Sequence, residues 1–228
     1  ERARAMRAAG KTVIDFSIGD PREPTPPFIP GALKAAVPAV SQYPTTAGLD
    51  ELRAAIAAYL GRRFGVEIDP STQVIPTSGS KEAVFNTPLA FIDRSAGDVV
   101  VYGTPGYPIY ERGALFAGAV THPVVLRDDF VLRAGDIPAE TWDRARLAWI
   151  CTPHNPTGAV TDGAVLDELL AAALRQREAL DALPARHNIP HSLTRFIGRE
   201  GEIAQVREML WGFLRCTAEP HRGQWASP

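Results

Sequence analysis

Three short stretches of this chain combine residue types suited to holding a ligand. Pro76-Thr77-Ser78-Gly79-Ser80-Lys81-Glu82-Ala83 places a small-residue turn ahead of a helix start. Free backbone N–H groups and the positive end of such a helix suit a phosphate or similar anion. Pro105-Gly106-Tyr107-Pro108-Ile109-Tyr110 sets two aromatic rings just past an apolar strand. Finally, the apolar run Leu147 to Cys151 breaks into Pro153-His154-Asn155-Pro156-Thr157-Gly158. That loop offers one short amide, Asn155, on a stiffened backbone, able to hold a hydrogen bond to a bound ring. Taken alone, four residues of this type also make an ordinary turn.

The elements that must position these residues follow from periodicity and breakers. Leu49, Leu52, Ile56, Tyr59, Leu60 and Phe64 recur at helical spacing,. Asp50 and Glu51 in the first turn, Arg62 and Arg63 in the last and Gly65 beyond all favour that helix,. Residues 1–9 read as the end of a helix closed by Gly10, and Val13 to Ile18 as a short apolar segment. Pro24 to Pro30 is too proline-rich for helix or central strand, which leaves a short helix over Gly31 to Val37,. Val74 and Ile75 read as a short strand. Pro88 should kink or end the helix that follows,. Asp98–Tyr102, Thr121–Leu126 and Leu147–Cys151 read as strands, and residues 111–118 as helix. A last helix, N-capped by Thr161, presents Val165, Leu166, Leu169, Leu170 and Leu174,. This alternation predicts an α/β fold, a mostly parallel sheet with helices on both faces. In such a sheet ligands bind at the carboxyl edge of the strands.

Composition narrows the partners. The 228 residues are 45% hydrophobic and 22% charged, with a net charge of −2, which points away from a nucleic-acid partner,. Two cysteines, Cys151 and Cys216, are too few for a disulfide framework or metal knuckle and fit a reducing cytoplasm,. No stretch approaches the roughly 20 apolar residues that span a bilayer. His122 and His154 read as surface or loop residues rather than catalysts, and Cys151 as a small buried strand residue.

Five stretches, in order, resemble the class I/II pyridoxal-phosphate-dependent aminotransferases. They are Ser17-Ile18-Gly19-Asp20-Pro21, the run from Tyr43 to Arg53, Thr77 to Ala83, Pro105 to Glu111, and Asn155 to Gly158. The resemblance covers about residues 10–174. It implies a fold-type I large domain, incomplete, with part of the N-terminal small-domain segment. It also implies pyridoxal 5'-phosphate as cofactor, small amino-acid and keto-acid substrates, and a homodimer. Within the family, the Tyr-Pro-Thr-Thr-x-Gly and Ile-Cys-x-Pro-x-Asn-Pro-Thr-Gly-Ala-Val strings look most like the succinyldiaminopimelate branch. There the amino group passes between glutamate and a succinylated keto acid of lysine biosynthesis. By resemblance, Gly79, Ser80 and Lys81 form the phosphate cup, and Tyr107 stacks on the pyridine ring. Asn155 donates to the ring's phenolic oxygen from a cis Asn155–Pro156 loop, and Tyr43 reaches the phosphate in the other subunit. Gly19 lets a substrate carboxylate approach the backbone.

The family's Asp-x-x-Tyr, Ser-x-x-Lys and carboxyl-terminal Arg have no counterparts after the Asn155 loop. The lysines are Lys11, Lys34 and Lys81, all upstream of it. Ser78-Gly79-Ser80-Lys81 imitates a Ser-x-Ser-Lys site, but its place in order is the phosphate cup. No catalytic residue is therefore assigned: the Schiff-base lysine is absent, and the expectation is a chain inactive alone. The division expected is 1–48, 49–174 and an unrelated or disordered extension 175–228. Residues 188–210 resemble the entry to the nucleotide-binding domain of bacterial signal-transduction ATPases, without the phosphate loop that hydrolysis needs. A truncated or chimeric aminotransferase is the simplest reading. A non-catalytic binding or regulatory protein on a degenerate aminotransferase domain is the alternative.

Overall fold

The computed structural model describes residues 2–14, 19, 23–43 and 45–181, with side chains through residue 175. Most of the apolar segment Val13–Ile18, Asp20-Pro21, Pro44 and the ATPase-like stretch lie outside the described residues. The chain divides into two units, Glu1–Pro44 and Thr45–Pro228.

The first unit carries two helices, α1 (Arg2–Ala8) and α2 (Phe28–Ala36). Gly10 follows α1 at φ 74°, the left-handed turn a helix stop uses,. α2 begins three residues before the expected Gly31 and so takes in Pro30. Proline is tolerated there because N–H groups of a first turn have no intrahelical partner to lose.

In the second unit, α3 (Asp50–Phe64) has the expected bounds, closed by Gly65 at φ 72°. The expected strand at Val74-Ile75 is absent: both residues are irregular and pair with no strand among the described residues. α4 (Ser80–Phe91) runs through Pro88 without ending there. Only one turn remains after the proline, and Ile92 N–H closes it on the Pro88 carbonyl at 3.0 Å.

The sheet has three parallel strands, β1 (Val99–Thr104), β2 (Val120–Val125) and β3 (Ala145–Trp149), in the order β2-β1-β3. β1 is central, and its alternate residues enter two different cores. Val99 and Val101 pack with Val124, Leu126, Leu132 and Ile137, while Val100 packs with Ala114 and Ala119. That two-sided burial is why Val99-Val100-Val101 is uniformly apolar. α5 (Ile109–Ala117) follows β1 and leads through Gly118, at φ 84°, into β2. A 3-10 turn (Ala134–Asp136) and the short α6 (Ala139–Trp142) lead into β3. β3 ends at Trp149, so Cys151 is a half-buried loop residue and not the expected strand residue.

α7 (Gly163–Asp181) buries Leu166, Leu169 and Ala172 and packs on the 3-10 turn and α6. Its start is served by Asp162, whose carbonyl accepts from Val165 and Leu166, and not by Thr161. Thr161 is buried, its N–H on the Thr152 hydroxyl at 3.0 Å.

At the amino edge of the sheet, buried Asp98 accepts from Arg146 Nε at 3.1 Å and from the Asp93 N–H at 2.8 Å. Among the described residues, no helix is long and apolar enough to cross a membrane.

Candidate functional site

Strand direction decides which loops meet. β1 and β3 are parallel neighbours, so the segments leaving Thr104 and Trp149 emerge side by side at the carboxyl edge. The first carries Tyr107, the second Asn155. α5 starts at that edge and ends at the amino end of β2. α4 packs along α5 and delivers the chain, through residues 92–98, to the amino end of β1. Its N-terminus, Ser80, therefore points back toward the carboxyl edge. Three of the expected segments converge on one edge of one sheet.

Gly79 precedes α4 at φ 90°, and open space surrounds the position a Cβ would take. No side chain caps this helix start. Ser80 and Lys81 are exposed, so the first-turn N–H groups and the Ser80 hydroxyl face outward,. The Ser78 N–H is held by the Glu82 carboxylate, which braces the turn. An uncapped 12-residue helix with an open glycine ahead of it suits a phosphate,.

Tyr107 is half-buried and meets Tyr110 edge-on, ring centres 5.8 Å apart at 84°. Tyr110 in turn stacks on Trp149 at 5.3 Å and 19°. Burial first, then a hydrogen bond with the Cys151 thiol, pushes the Tyr110 hydroxyl above the ordinary tyrosine range. The rung Tyr107–Tyr110–Trp149 thus ties the post-β1 segment to the end of β3 through aromatic contact. Gly106 is required here, because a Cβ would collide with the Gly103 carbonyl.

The Asn155–Pro156 bond is cis, as the resemblance implied, and Thr104–Pro105 and Thr152–Pro153 are cis as well. The Asn155 side chain is exposed and takes no hydrogen bond from the described residues. Its backbone N–H donates to Cys151 Sγ at 3.4 Å, and the thiol donates to the Pro153 carbonyl at 3.3 Å.

His154 was not expected here: it is a loop residue but buried, at 7% exposure, between exposed neighbours. Its Nε2 meets the Pro105 carbonyl at 3.1 Å, and its Nδ1 meets the Thr157 hydroxyl at 2.8 Å. A carbonyl only accepts, so Nε2 carries a proton toward Pro105, and the Thr157 hydroxyl pairs Nδ1,. The Thr157 oxygen accepts in turn from the Ala159 N–H at 3.3 Å. The only sequence signal was an apolar run ending beside a histidine; its partner lies 49 residues upstream. Gly19 and Tyr43 lie in the first unit, both exposed, Tyr43 fully so. His122 is half-buried on β2. Among the described residues no cluster of three or more His, Cys, Asp or Glu side chains is arranged to hold a metal.

This fold and edge define a class, and comparison with known proteins agrees. The chain belongs to the class I and II aminotransferases, whose family model matches residues 11–180. The members of that family use pyridoxal 5'-phosphate, and the fold is that of fold type I. The chain is similar to LL-diaminopimelate aminotransferase of Nitratidesulfovibrio vulgaris, 43% identical over 72% of this chain and 43% of the relative. Its similarity to the enzyme of that name from Desulforudis audaxviator is 45% over 68% of this chain and 40% of the relative. Among solved structures, an aminotransferase from Neisseria meningitidis superposes with a TM-score of 0.68. It is 32% identical, over 76% of this chain and 46% of that one. A single mutant of Thermus thermophilus aspartate aminotransferase gives 0.68 at 29% identity, over 77% and 46%. The chain spans less than half the length of these relatives.

Proposed function

We propose that this chain supplies the front half of a pyridoxal-phosphate site for amino-group transfer between glutamate and a keto acid. The observation that carries the reading is the convergence of the Ser80 helix start, the Tyr107 segment and the Asn155 loop on one sheet edge. The donor set suits the cofactor: uncapped N–H groups for a phosphate, a ring for stacking, an unpaired amide for a ring oxygen. When bound, the cofactor supplies an electron sink for the bonds at the substrate's amino-bearing carbon. Gly79, Ser80 and Lys81 hold the phosphate end, and the Tyr107 ring covers one face. The Asn155 amide donates to the ring oxygen, keeping its negative charge in place. Tyr43 and Gly19 serve a partner subunit's phosphate and the substrate carboxylate in a homodimer. Residues 1–48 and 49–174 contribute small-domain and large-domain parts, and 175–228 an extension.

The substrate reading is the lysine branch of metabolism. The succinylated aminopimelate suggested by the sequence strings competes with the unsuccinylated diaminopimelate for which the relatives are named. No lysine follows the Asn155 loop in this chain, so the reading includes weak cofactor binding and no turnover by the chain alone.

The test is a spectrophotometric pyridoxal 5'-phosphate titration, then borohydride reduction and peptide mapping. Weak saturable binding, reduced in Tyr107→Ala and Asn155→Ala, is expected, with no transfer from LL-diaminopimelate or its succinylated form to 2-oxoglutarate. No saturable binding overturns the site. Stoichiometric pyridoxyl labelling of one lysine together with turnover overturns the claim of inactivity.

A further inference from the structure

We propose that His154 is a positioning residue that locks the Asn155 loop to the Tyr107 segment. The proposal rests on the cofactor-site reading for its purpose and on the geometry for its existence. A buried imidazole is costly unless both nitrogens are paired, and here both are,. The two partners differ in kind. Thr157 is three residues away in the same loop, whereas Pro105 belongs to the segment leaving β1. His154 is thus a hydrogen-bonded bridge between the two loops, and Tyr107 lies two residues past Pro105.

The main chain around the ring is equally constrained. The His154 N–H bonds the Ala159 carbonyl at 2.7 Å, and its own carbonyl accepts from the Gly158 N–H at 2.6 Å. The flat face of the imidazole lies parallel to Phe130, 6.1 Å away at 10°. Asn155 follows directly, its N–H on Cys151 Sγ. A ring pinned at two nitrogens, one face and both main-chain groups leaves the next residue's backbone little freedom. The amide that would meet a bound ring is thereby set relative to the aromatic that would stack on it. Serial order along β1 and β3 alone fixes neither that distance nor that angle.

A simple space-filling role makes different predictions, and three variants separate the two. Gln reaches as far as Nε2 and keeps the Pro105 bond. Asn reaches only as far as Nδ1 and keeps the Thr157 bond. Phe keeps the stacking and loses both bonds. The experiment is native-state amide exchange by NMR on the whole chain, with nitrogen spectra of the His154 ring in the unsubstituted protein. The expected ring carries a proton at Nε2. Exchange at Gly158, inside the loop, and at Tyr110, whose N–H bonds the Tyr107 carbonyl at 3.1 Å, should rise together. The rise should be at least about fivefold in His154→Asn and His154→Phe and within about twofold in His154→Gln, the scale of one net hydrogen bond. A ring with no proton at Nε2, full protection in His154→Phe, acceleration confined to Gly158, or a His154→Gln as fast as His154→Asn each overturns the lock. None of these readouts needs cofactor. Failure of pyridoxal 5'-phosphate to bind the unsubstituted chain would overturn the site reading and leave the measured coupling standing.

Discussion

Gly113→Ala tests how closely α4 and α5 are packed, and hence how the Ser80 helix start is held beside the Tyr107 segment. Gly113 is buried in the middle of α5. A Cβ there would lie 2.8 Å from the Phe85 carbonyl oxygen, 3.2 Å from its Cα and 3.3 Å from its carbonyl carbon. All three are backbone atoms of α4, so no rotamer change relieves the contact. Two terms compete. Replacing a mid-helix glycine by alanine favours the helix by about 1 kcal/mol. Overpacking a tight helix contact costs about 1–3 kcal/mol. The collision should win, leaving a net loss of about 1 kcal/mol and a Tm lower by about 2–4 °C for a chain of this size. Gly61→Ala provides the control. It also lies inside a helix, α3, but its Cβ would meet only the Val66 carbonyl at 3.4 Å, an ordinary contact. There the propensity gain stands nearly alone, about 0.5–1 kcal/mol stabilising. Urea denaturation of both variants reads the two signs. If Gly113→Ala stabilises as much as Gly61→Ala, the α4–α5 contact is not as tight as described, and the placement of Ser80 loses its support.

Other perturbations have equally definite outcomes. Asp98→Asn removes the charge that receives Arg146 and the Asp93 N–H at the amino edge. A loss of about 1.5–3 kcal/mol in urea denaturation is expected, the range for hydrogen bonds to a charged group, with cofactor affinity unchanged. On acidification, Asp129 is held below the usual carboxylate range by its hydrogen bond to Arg133, and Asp69 by the Ser71 and Thr72 hydroxyls. Carboxylates with lowered folded-state values stabilise above about pH 4 and lose that contribution as pH falls through the folded value. A Tm-versus-pH curve should therefore be flat near neutrality and fall below about pH 4; a Tm that rises on acidification contradicts the assignment. Because both groups lie at the surface, added salt should shrink the Arg133 part of the effect.

The parts of this fold that were legible in the sequence are those whose signals are local. α3 announced itself through its apolar period, charged ends and Gly65, and Gly10 marked the end of α1. β1 was the most legible of the three strands, because it is buried on both faces and so reads as an unbroken apolar run,. Errors arose where a local rule met a tertiary fact. Val74 and Ile75 have strand-like side chains but no neighbouring strand to pair with among the described residues. Pro30 sits in a first turn, where a missing N–H costs least, and after Pro88 only one turn of α4 remains to be disturbed,. Thr161 has the chemistry of a cap, yet Asp162 occupies the cap position while Thr161 is drawn to Thr152. Gly79, Ser80, Tyr107 and Asn155, the residues of the proposed site, stand out in the sequence as ordered motifs. The role of His154 does not, since its meaning depends on a carbonyl 49 residues away. Cys151 was misplaced because the strand ends at Trp149, two residues before its apolar run does.

The central claim is that three segments far apart in sequence form one cofactor-holding edge. Amide shifts of the isotope-labelled chain, followed as pyridoxal 5'-phosphate is added, test it most directly. Saturable shifts confined to residues 79–82, 106–108 and 154–158, sharing one dissociation constant, are the predicted result. Shifts that scatter over surface lysines without saturating, or that touch only one of the three segments, would contradict it.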